Sequence, residues 1–146
     1  MLINGKSMRT IEVLDNFCLS IIDQTLLPHR LKYRKLNNLE DAFNAISKMW
    51  VRGAPLIGVT AAYGMSLAIK EDASDKNINI AEKKLLEARP TAVDLKWAIS
   101  KIKEKIFSFK PRERFEVAWM TSGELAEDSI KQCSKIGDFR KELILK

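Results

Sequence analysis

Apolar residues follow a helical repeat through most of the chain from residue 37 onward. The repeat begins in residues 37–50, where apolar side chains recur every three or four residues and so occupy one side of a helix. Asn37, three residues before Glu40, resembles a capping signal for this helix. The members of the stripe are Leu39, Ala42, Phe43, Ile46 and Met49.

The segment from residue 55 to residue 69 is the most apolar of the chain and carries no charge. Pro55 suits a first helical position, so we predict a helix from Pro55 to about Ile69. Its apolar residues lie on all sides, which indicates a buried helix. Gly58 and Gly64 allow close packing, although each costs about 1 kcal/mol relative to alanine. We expect such a helix to be covered by other helices and by a further domain, and without that domain we expect part of its apolar surface to stay open, which favours self-association.

Two more helices are predicted after a polar loop over residues 71–77. Residues 78–88 form a short helix that ends before Pro90, since the residue before a proline avoids the helical conformation. Thr91, three residues before Asp94, resembles a capping box at the start of a long amphipathic helix. The stripe of this second helix consists of Leu95, Ala98, Ile99, Ile102, Ile106 and Phe109.

The last helix is predicted after Pro111, which breaks the preceding stripe. Apolar residues continue at helical spacing up to residue 136, and Gly137 is a suitable C-cap. Residues 138–146 are too few for a further packed unit, so we expect a truncated tail there. Each tryptophan lies near an apolar stripe, and we expect all three to be at least half buried: Trp50, Trp97 and Trp119.

Strands are predicted only before the helical region. The runs TIEVLDN and FCLSIID favour β-structure and meet at Asp15 and Asn16, a good turn pair. They predict an antiparallel hairpin over residues 9–23, and the segment after it is partly extended. The predicted fold is therefore mainly α. A helical domain covers residues 1–137, with the hairpin in front and helices over residues 37–136.

The composition is typical of a soluble globular domain. Of the 146 residues, 46% are hydrophobic and 30% are charged. No apolar run has the length of a membrane span, and the N-terminus lacks the apolar core of a signal peptide, so we expect a cytoplasmic protein with no membrane partner. The net charge of +6 permits binding of anions, but the positive residues alternate with acidic ones and disfavour nucleic acid as a partner.

Metal chemistry is not indicated by the few ligating residues. The chain has two cysteines, Cys18 and Cys133, and one histidine, His29. They form no CxxC pair, so a zinc site or a disulfide framework is not predicted. We expect no metal, and we expect two reduced, half-buried thiols that behave as small apolar side chains.

Arg52 and Gly53 stand directly before the apolar helix, and this position suits an anion. A helix N-terminus offers free N–H groups and about half a positive charge. Gly53 lets the backbone approach a ligand, and Arg52 adds a charge-assisted contact. Together they predict a phosphate or carboxylate site. The alternative is structural: Arg52 caps a neighbouring helix and Gly53 serves a turn.

A second arginine has the same setting. Arg89 precedes Pro90 and the start of the next predicted helix. Two arginines therefore precede two helix starts, each close to a proline. The alternative is coincidence, since the positive charge of an arginine at the C-terminal end of a helix also interacts favourably with the helix dipole.

At these residues the sequence resembles the methylthioribose-1-phosphate isomerase family. WVRGAPLIGVTAAYGMSLA and ARPTAVDLKWAI are similar to its two most characteristic N-terminal motifs. IIDQTLLPHRL and RTIEV match two others, and AEDSIKQCSKIG fits the helix that closes its N-terminal domain. The resemblance spans residues 9–137. The wider family includes ribose-1,5-bisphosphate isomerase and the regulatory subunits of the translation-initiation guanine-nucleotide exchange factor.

This resemblance implies an aldose–ketose isomerase of methionine salvage that uses no redox cofactor. The substrate it implies is a sugar phosphate, held by Arg52, Gly53, Ala54 and Arg89. The catalytic cysteine and aspartate of the family lie in a second, Rossmann-like α/β domain, which we expect to be absent from this chain. Neither cysteine here matches the catalytic one, so no catalytic residue is assigned. Asp94 also departs from the family, which usually has asparagine in that motif.

The expected function is therefore that of the N-terminal part of such an isomerase, binding the sugar phosphate but inactive alone. Its expected partner is a second copy or a complementing C-terminal half. The alternative is a non-catalytic regulatory module comparable to the exchange-factor subunits.

Overall fold

The computed structural model of the chain describes residues 2–3 and 5–144. Its described part contains five short strands and five helices. The strands are β1 (Leu2–Ile3), β2 (Lys6–Ser7), β3 (Ile11–Leu14), β4 (Cys18–Ile22) and β5 (Tyr33–Leu36). The helices are α1 (Leu39–Ser47), α2 (Ala54–Glu71), α3 (Asp75–Ala88), α4 (Val93–Ile106) and α5 (Pro111–Ile144). The prediction of a mainly α fold behind a small antiparallel sheet is confirmed.

The predicted hairpin is present as β3 and β4, which pair antiparallel with Leu14 opposite Cys18. Asn16 lies in the left-handed region at φ 57°, a conformation that asparagine tolerates better than most residues. The sheet also contains β5, which pairs antiparallel with β4 and which the sequence indicated only as a partly extended segment. The central strand β4 is the most buried of the three, since its residues Leu19, Ile21 and Ile22 have no exposed surface.

Two predicted helix starts are shifted. The N-cap of α1 is Asn38, one residue later than predicted, and its side chain accepts from the Asp41 N–H at 2.9 Å. The predicted capping box at Thr91 is wrong, because α4 begins at Val93 and no side chain caps it.

Two predicted boundaries between helix and loop are wrong. The loop predicted over residues 71–77 is shorter, because the Ser74 hydroxyl accepts from the Asn77 N–H at 3.2 Å and starts α3 at Asp75. Gly137 does not end α5, which continues to Ile144. The residues after Gly137 are mostly good helix formers, and they extend the helix past one glycine at a cost of about 1 kcal/mol.

Helix α2 forms the centre of the fold and packs against all four other helices. Every residue from Ile57 to Ile69 is buried, as the apolar sequence of this helix predicts. The expectation that part of its surface stays open is wrong, because the other helices cover it. Exposed large apolar side chains lie elsewhere, on α5 above all: Met120, Ile130, Ile136 and Phe139.

Two of the three tryptophans agree with the prediction. Trp50 and Trp119 are mostly buried, whereas Trp97 is 51% exposed. The α4 stripe that faces the core consists of Leu95, Ala98, Ile99, Ile102 and Ile106. Trp97 lies on the other side of that helix, so proximity to a stripe in sequence did not mean burial. Among the described residues, no helix is long and apolar enough to cross a membrane.

Gly58 is where α2 and α4 approach most closely, and its substitution is a test of this packing. A Cβ at Gly58 would lie 2.9 Å from the carbonyl oxygen of Asp94, a backbone atom that no rotamer change can move. We expect Gly58→Ala to lower the free energy of unfolding by about 1 kcal/mol, since overpacking costs about 1–3 kcal/mol against a gain of about 1 from helix propensity.

The matched control for this substitution is Gly137→Ala. No atom lies within 4 Å of a Cβ built there, and α5 continues on both sides. Only the gain in helix propensity applies at this exposed position, so Gly137→Ala should not destabilise the protein. Denaturant unfolding of the two variants measures the difference. Equal or increased stability of Gly58→Ala would contradict the close contact of α2 with the start of α4.

Candidate functional site

The loop between α1 and α2 holds the arginine that the sequence singled out. Helix α1 ends at Ser47 with Lys48 as its C-cap, and Met49 after it lies in the left-handed region at φ 59°, in the position that commonly follows a helix C-cap. The buried Val51 N–H donates back to the Ala45 carbonyl at 3.2 Å. The Trp50 carbonyl accepts from the Gln24 N–H at 2.9 Å, which ties the loop to the end of the sheet. These bonds fix the backbone on the N-terminal side of Arg52.

Gly53 is the N-cap of α2, with φ 90° and ψ 132°. Only glycine adopts this conformation without strain, and a Cβ built there meets no atom within 4 Å, so the backbone lies open to solvent. The helix begins at Ala54, one residue earlier than predicted, and Pro55 occupies its first turn. No side chain among the described residues caps this helix start. The N–H groups and the positive end of the α2 dipole therefore face open space.

Arg52 is exposed at this helix start. Its Nε donates to the Met49 carbonyl at 3.5 Å, the limit of a hydrogen bond. Among the ion pairs of the described residues none involves Arg52. Its guanidinium can therefore turn toward an anion at the start of α2 without breaking a salt bridge. This weak contact also gives little support to the alternative in which Arg52 serves to cap a helix.

Arg89 occupies the C-cap of α3, four residues before α4 begins. It is partly buried, and its carbonyl accepts from the Ala92 N–H at 3.0 Å, which closes the turn between the two helices. Like Arg52, its side chain takes part in no ion pair within the described part of the chain. The structure therefore places each predicted arginine beside a helix start, with its charge not neutralised by a carboxylate.

The starts of α2 and α4 lie side by side. The close approach of Gly58 to the Asp94 carbonyl joins the second turn of α2 to the first turn of α4. A cavity of about 230 Å³ opens between these turns and α5. Its apolar lining includes Pro55 and the exposed ring of Trp97. Its polar lining consists of Asp94, Asp128, Ser129 and Gln132.

The two aspartates place negative charge in the lining of this cavity. Asp94 lies in the first turn of α4, where a carboxylate stabilises the helix dipole. The same negative charge repels a phosphate that enters the cavity, whereas carboxylate oxygens accept hydrogen bonds from hydroxyl groups. An anion is thus favoured outside the cavity, at Arg52 and Gly53, with a hydroxyl-bearing part directed inward. The α5 residues lie in the segment AEDSIKQCSKIG, which the sequence did not connect with a site, because only tertiary packing brings them to this place.

A buried ion pair supports the loop from the side of the sheet. Asp23 has no exposed surface and accepts from Thr25 Oγ1 and from Arg34 Nε, each at 2.6 Å. The Arg34 guanidinium lies 4.0 Å from the centre of the Trp50 ring, a cation–π geometry. Burial alone would raise the pKa of Asp23, but the hydrogen bonds from Thr25 and Arg34 outweigh it and lower this pKa below its usual range.

The cysteines and the histidine lie on other elements than the two loops that hold the arginines. Cys18 begins the central strand β4 and is partly buried, as expected for a half-buried thiol. Cys133 is exposed on α5, contrary to that expectation. His29 is exposed in the segment before β5. None of the three lines the cavity between α2, α4 and α5, and the described residues include no group of three or more potential metal ligands.

Comparison with known proteins places this geometry in a family. Residues 50–146 match the model of the Initiation factor 2 subunit family. A methylthioribose-1-phosphate isomerase of Methylocella silvestris is 46% identical over 94% of the chain, and one of Rhodospirillum centenum is 44% identical over 99%. These matches cover 38% and 39% of the two relatives, so the chain spans about two fifths of their length.

Two solved structures resemble the fold. The 5-methylthioribose 1-phosphate isomerase of Pyrococcus horikoshii has a TM-score of 0.77 at 30% identity, over 84% of this chain and 37% of the other. The translation initiation factor eIF-2B subunit delta of A. fulgidus has a TM-score of 0.73 at 34% identity, over 85% and 38% respectively. The family resemblance carried by the sequence motifs is confirmed.

Proposed function

Because the chain belongs to the Initiation factor 2 subunit family, we propose that it is the sugar-phosphate-binding part of a methylthioribose-1-phosphate isomerase. The observation that carries this proposal is the start of α2, where Gly53 at φ 90° leaves an uncapped helix end beside the exposed, unpaired Arg52. The names of the relatives at 44–46% identity supply the chemical class of the anion.

The phosphate of the substrate binds at Gly53 and Ala54 with Arg52 beside it, in this proposal. The partial positive charge of the α2 dipole and the open N–H groups favour a dianion at this place. Arg89, in the turn before α4, adds a second positive charge from the neighbouring helix start. The sugar then extends toward the cavity of about 230 Å³, where the carboxylates of Asp94 and Asp128 accept from its hydroxyls.

The expected affinity is low. A charge-assisted hydrogen bond contributes about 1.5–3 kcal/mol at best. Arg52 is solvent-exposed, and water and salt weaken its attraction for an anion. We therefore expect a dissociation constant in the millimolar range, at about −4 kcal/mol of binding free energy.

Substitution of Arg52 tests the proposed phosphate contact. We expect methylthioribose 1-phosphate to bind the wild-type chain saturably and to bind Arg52→Ala about tenfold more weakly, because one charge-assisted bond is lost. Titration followed by amide chemical shifts at Gly53 and Ala54 measures this. The matched control is Arg112→Ala, since Arg112 is also exposed, adjoins a proline and lies in the first turn of a helix.

The control distinguishes a specific site from general attraction of anions to a basic protein. Binding that is unchanged in Arg52→Ala, or that falls equally in Arg112→Ala, contradicts the proposed site. Inorganic phosphate should compete with the sugar phosphate at the same amides. Failure to compete would contradict a contact between the phosphate group and these amides.

The second candidate is a non-catalytic regulatory module. The likeness to eIF-2B subunit delta, with a TM-score of 0.73 and 34% identity, favours it. A regulatory module of this kind would share the fold and would require no sugar phosphate at α2. A chain that binds no sugar phosphate but forms a stable complex with a partner protein would support this candidate. The higher identity to proteins named as isomerases favours the first candidate.

Location and assembly follow from the first candidate. We propose that the protein acts in the cytoplasm, where a methionine-salvage isomerase would meet its substrate. Residues 1–137 form the proposed sugar-phosphate-binding domain, followed by residues 138–146. The proposed protein partner is a second copy of this chain or a chain that supplies the remaining part of the relatives. The proposed isomerisation needs no redox cofactor, because it moves a proton between adjacent carbons of one molecule.

A further inference from the structure

The aromatic residue at the middle of α2 has a hydroxyl group that the fold does not use. Tyr63 is 4% exposed, and its ring packs edge-on against Trp119 with the ring centres 5.0 Å apart. A phenylalanine would make the same contact. Among the described residues no group forms a hydrogen bond with the Tyr63 hydroxyl. The described residues include no fully buried side-chain nitrogen or oxygen without a partner, so the Tyr63 oxygen keeps access to solvent although the rest of the side chain is buried.

The hydroxyl lies at a cavity between the sheet and α5. Tyr63 and Gly123 both line this cavity of about 450 Å³, together with Ile11 and Val13 of β3. A Cβ built at Gly123 would lie 3.7 Å from the Tyr63 hydroxyl oxygen, so any longer side chain there would enter the space next to it. The glycine therefore leaves the hydroxyl accessible from the cavity. Cavities of about 300–1,000 Å³ are the usual size for small-molecule ligands.

Two of the three charged residues that line the cavity, Arg9 and Glu127, are paired with each other. The Arg9 guanidinium forms a two-pronged ion pair with Glu127, and the Arg9 N–H donates to Glu12 at 3.3 Å. Within the described part of the chain these are the charged residues that line this cavity. An anionic ligand would have to displace Glu127 from Arg9, whereas an uncharged ligand would not.

The hydroxyl is in its protonated form at neutral pH and acts as a donor. Burial raises the pKa of Tyr63, and the nearby Glu127 carboxylate raises it further. A neighbouring cavity of about 360 Å³ shares Arg9, Ile11 and Ala126 with the first and extends it along α5. Its walls are mainly apolar, so the ligand can be larger than its one hydrogen-bonding group.

We propose that this cavity between β3 and α5 binds a small, uncharged, mainly apolar molecule. The molecule carries an acceptor that accepts a hydrogen bond from the Tyr63 hydroxyl. The site is separate from the helix start at Arg52, and it does not depend on the function proposed there. A small number of polar groups among apolar walls is the usual arrangement of a small-molecule site.

Acetophenone and α-methylstyrene test this assignment as matched probes. They have nearly the same shape, but only the ketone oxygen of acetophenone accepts a hydrogen bond. We expect acetophenone to shift the backbone amides of Ile11, Gly123 and Ala126 saturably in a titration followed by NMR. Loss of one hydrogen bond weakens binding about fivefold, so α-methylstyrene should bind about fivefold more weakly.

Two variants complete the test. Tyr63→Phe removes only the hydroxyl, keeps the ring contacts and should abolish the preference for acetophenone. Gly123→Leu should abolish binding of both probes, while Gly137→Leu, at an exposed glycine of the same helix, should leave binding unchanged. Absence of saturable shifts, equal affinity of the two probes for the wild type, or a preference that survives Tyr63→Phe would overturn the proposal.

Discussion

Residues 1–146 assayed alone are expected to produce no ketose from methylthioribose 1-phosphate, even at substrate concentrations that saturate the proposed site. Aldose–ketose isomerisation removes a proton from one sugar carbon and returns a proton to its neighbour. This transfer needs an acid or base within hydrogen-bond reach of the reacting carbons. The proposed phosphate contact at Arg52 would position the sugar but would move no proton.

The described residues near the proposed phosphate site support this expectation. His29, Cys18 and Cys133 do not line the cavity beside α2. Asp94 and Asp128 do line it, as a partly exposed and an exposed side chain, and the other polar residues of the lining are Ser129 and Gln132. The matched region is 38% of the Methylocella silvestris relative, so most of that protein lies outside it.

The complementary experiment adds the portion of a relative that lies outside the matched region. We expect turnover when the chain is mixed with the part of the Methylocella silvestris relative that lies beyond the matched residues. Arg52→Ala should then lower kcat/KM by at least tenfold, since one charge-assisted bond to the phosphate is lost, and Arg112→Ala should not. A coupled assay for the ketose product measures both. Turnover by residues 1–146 alone, lost in Arg52→Ala, would contradict the expectation and would make Asp94 and Asp128 the first candidates for the base.

The order of the helices could be predicted from the local sequence pattern, because apolar residues recur at every third or fourth position on the buried side of a helix. The ends of the helices could not. Gly137 looks like a C-cap in sequence, but α5 continues through it. Thr91 looks like an N-cap, but the turn closed by the Arg89 carbonyl starts α4 at Val93 instead. Caps depend on one or two backbone hydrogen bonds, and nearby alternatives differ by only about 1 kcal/mol.

The candidate site was likewise predicted only in part. Arg52, Gly53 and Arg89 were found because they stand next to helix starts in the sequence itself. The cavity beside them was not found, because Trp97 and the α5 residues reach it only through the packing of α2, α4 and α5. The third strand β5 was missed for a similar reason. Its pairing with β4 is a contact between segments ten or more residues apart.

Asp23→Asn is expected to lower the free energy of unfolding by about 2–3 kcal/mol at pH 7, because hydrogen bonds to a charged group are worth about 1.5–3 kcal/mol. Asp23 is fully buried, and an asparagine amide would present its NH₂ group to Arg34 or to Thr25, which are both donors. Arg34 would lose its only carboxylate partner among the described residues while its guanidinium remains stacked on Trp50. Because Arg34 is about one third exposed, water limits the loss below that of a fully buried pair.

The pH dependence of this loss follows from the lowered pKa of Asp23. The ion pair contributes its full stability above the pKa of an unfolded aspartate, about 3.9, and loses it as the pH falls through the lower pKa of the folded state. The difference in stability between wild type and Asp23→Asn should therefore be constant above about pH 5 and should narrow at more acidic pH. Urea unfolding at a series of pH values measures it. Asp138→Asn, at an exposed aspartate on α5, should match wild type throughout, and a gap for Asp23→Asn that did not narrow in acid would contradict a charge-dependent role for Asp23.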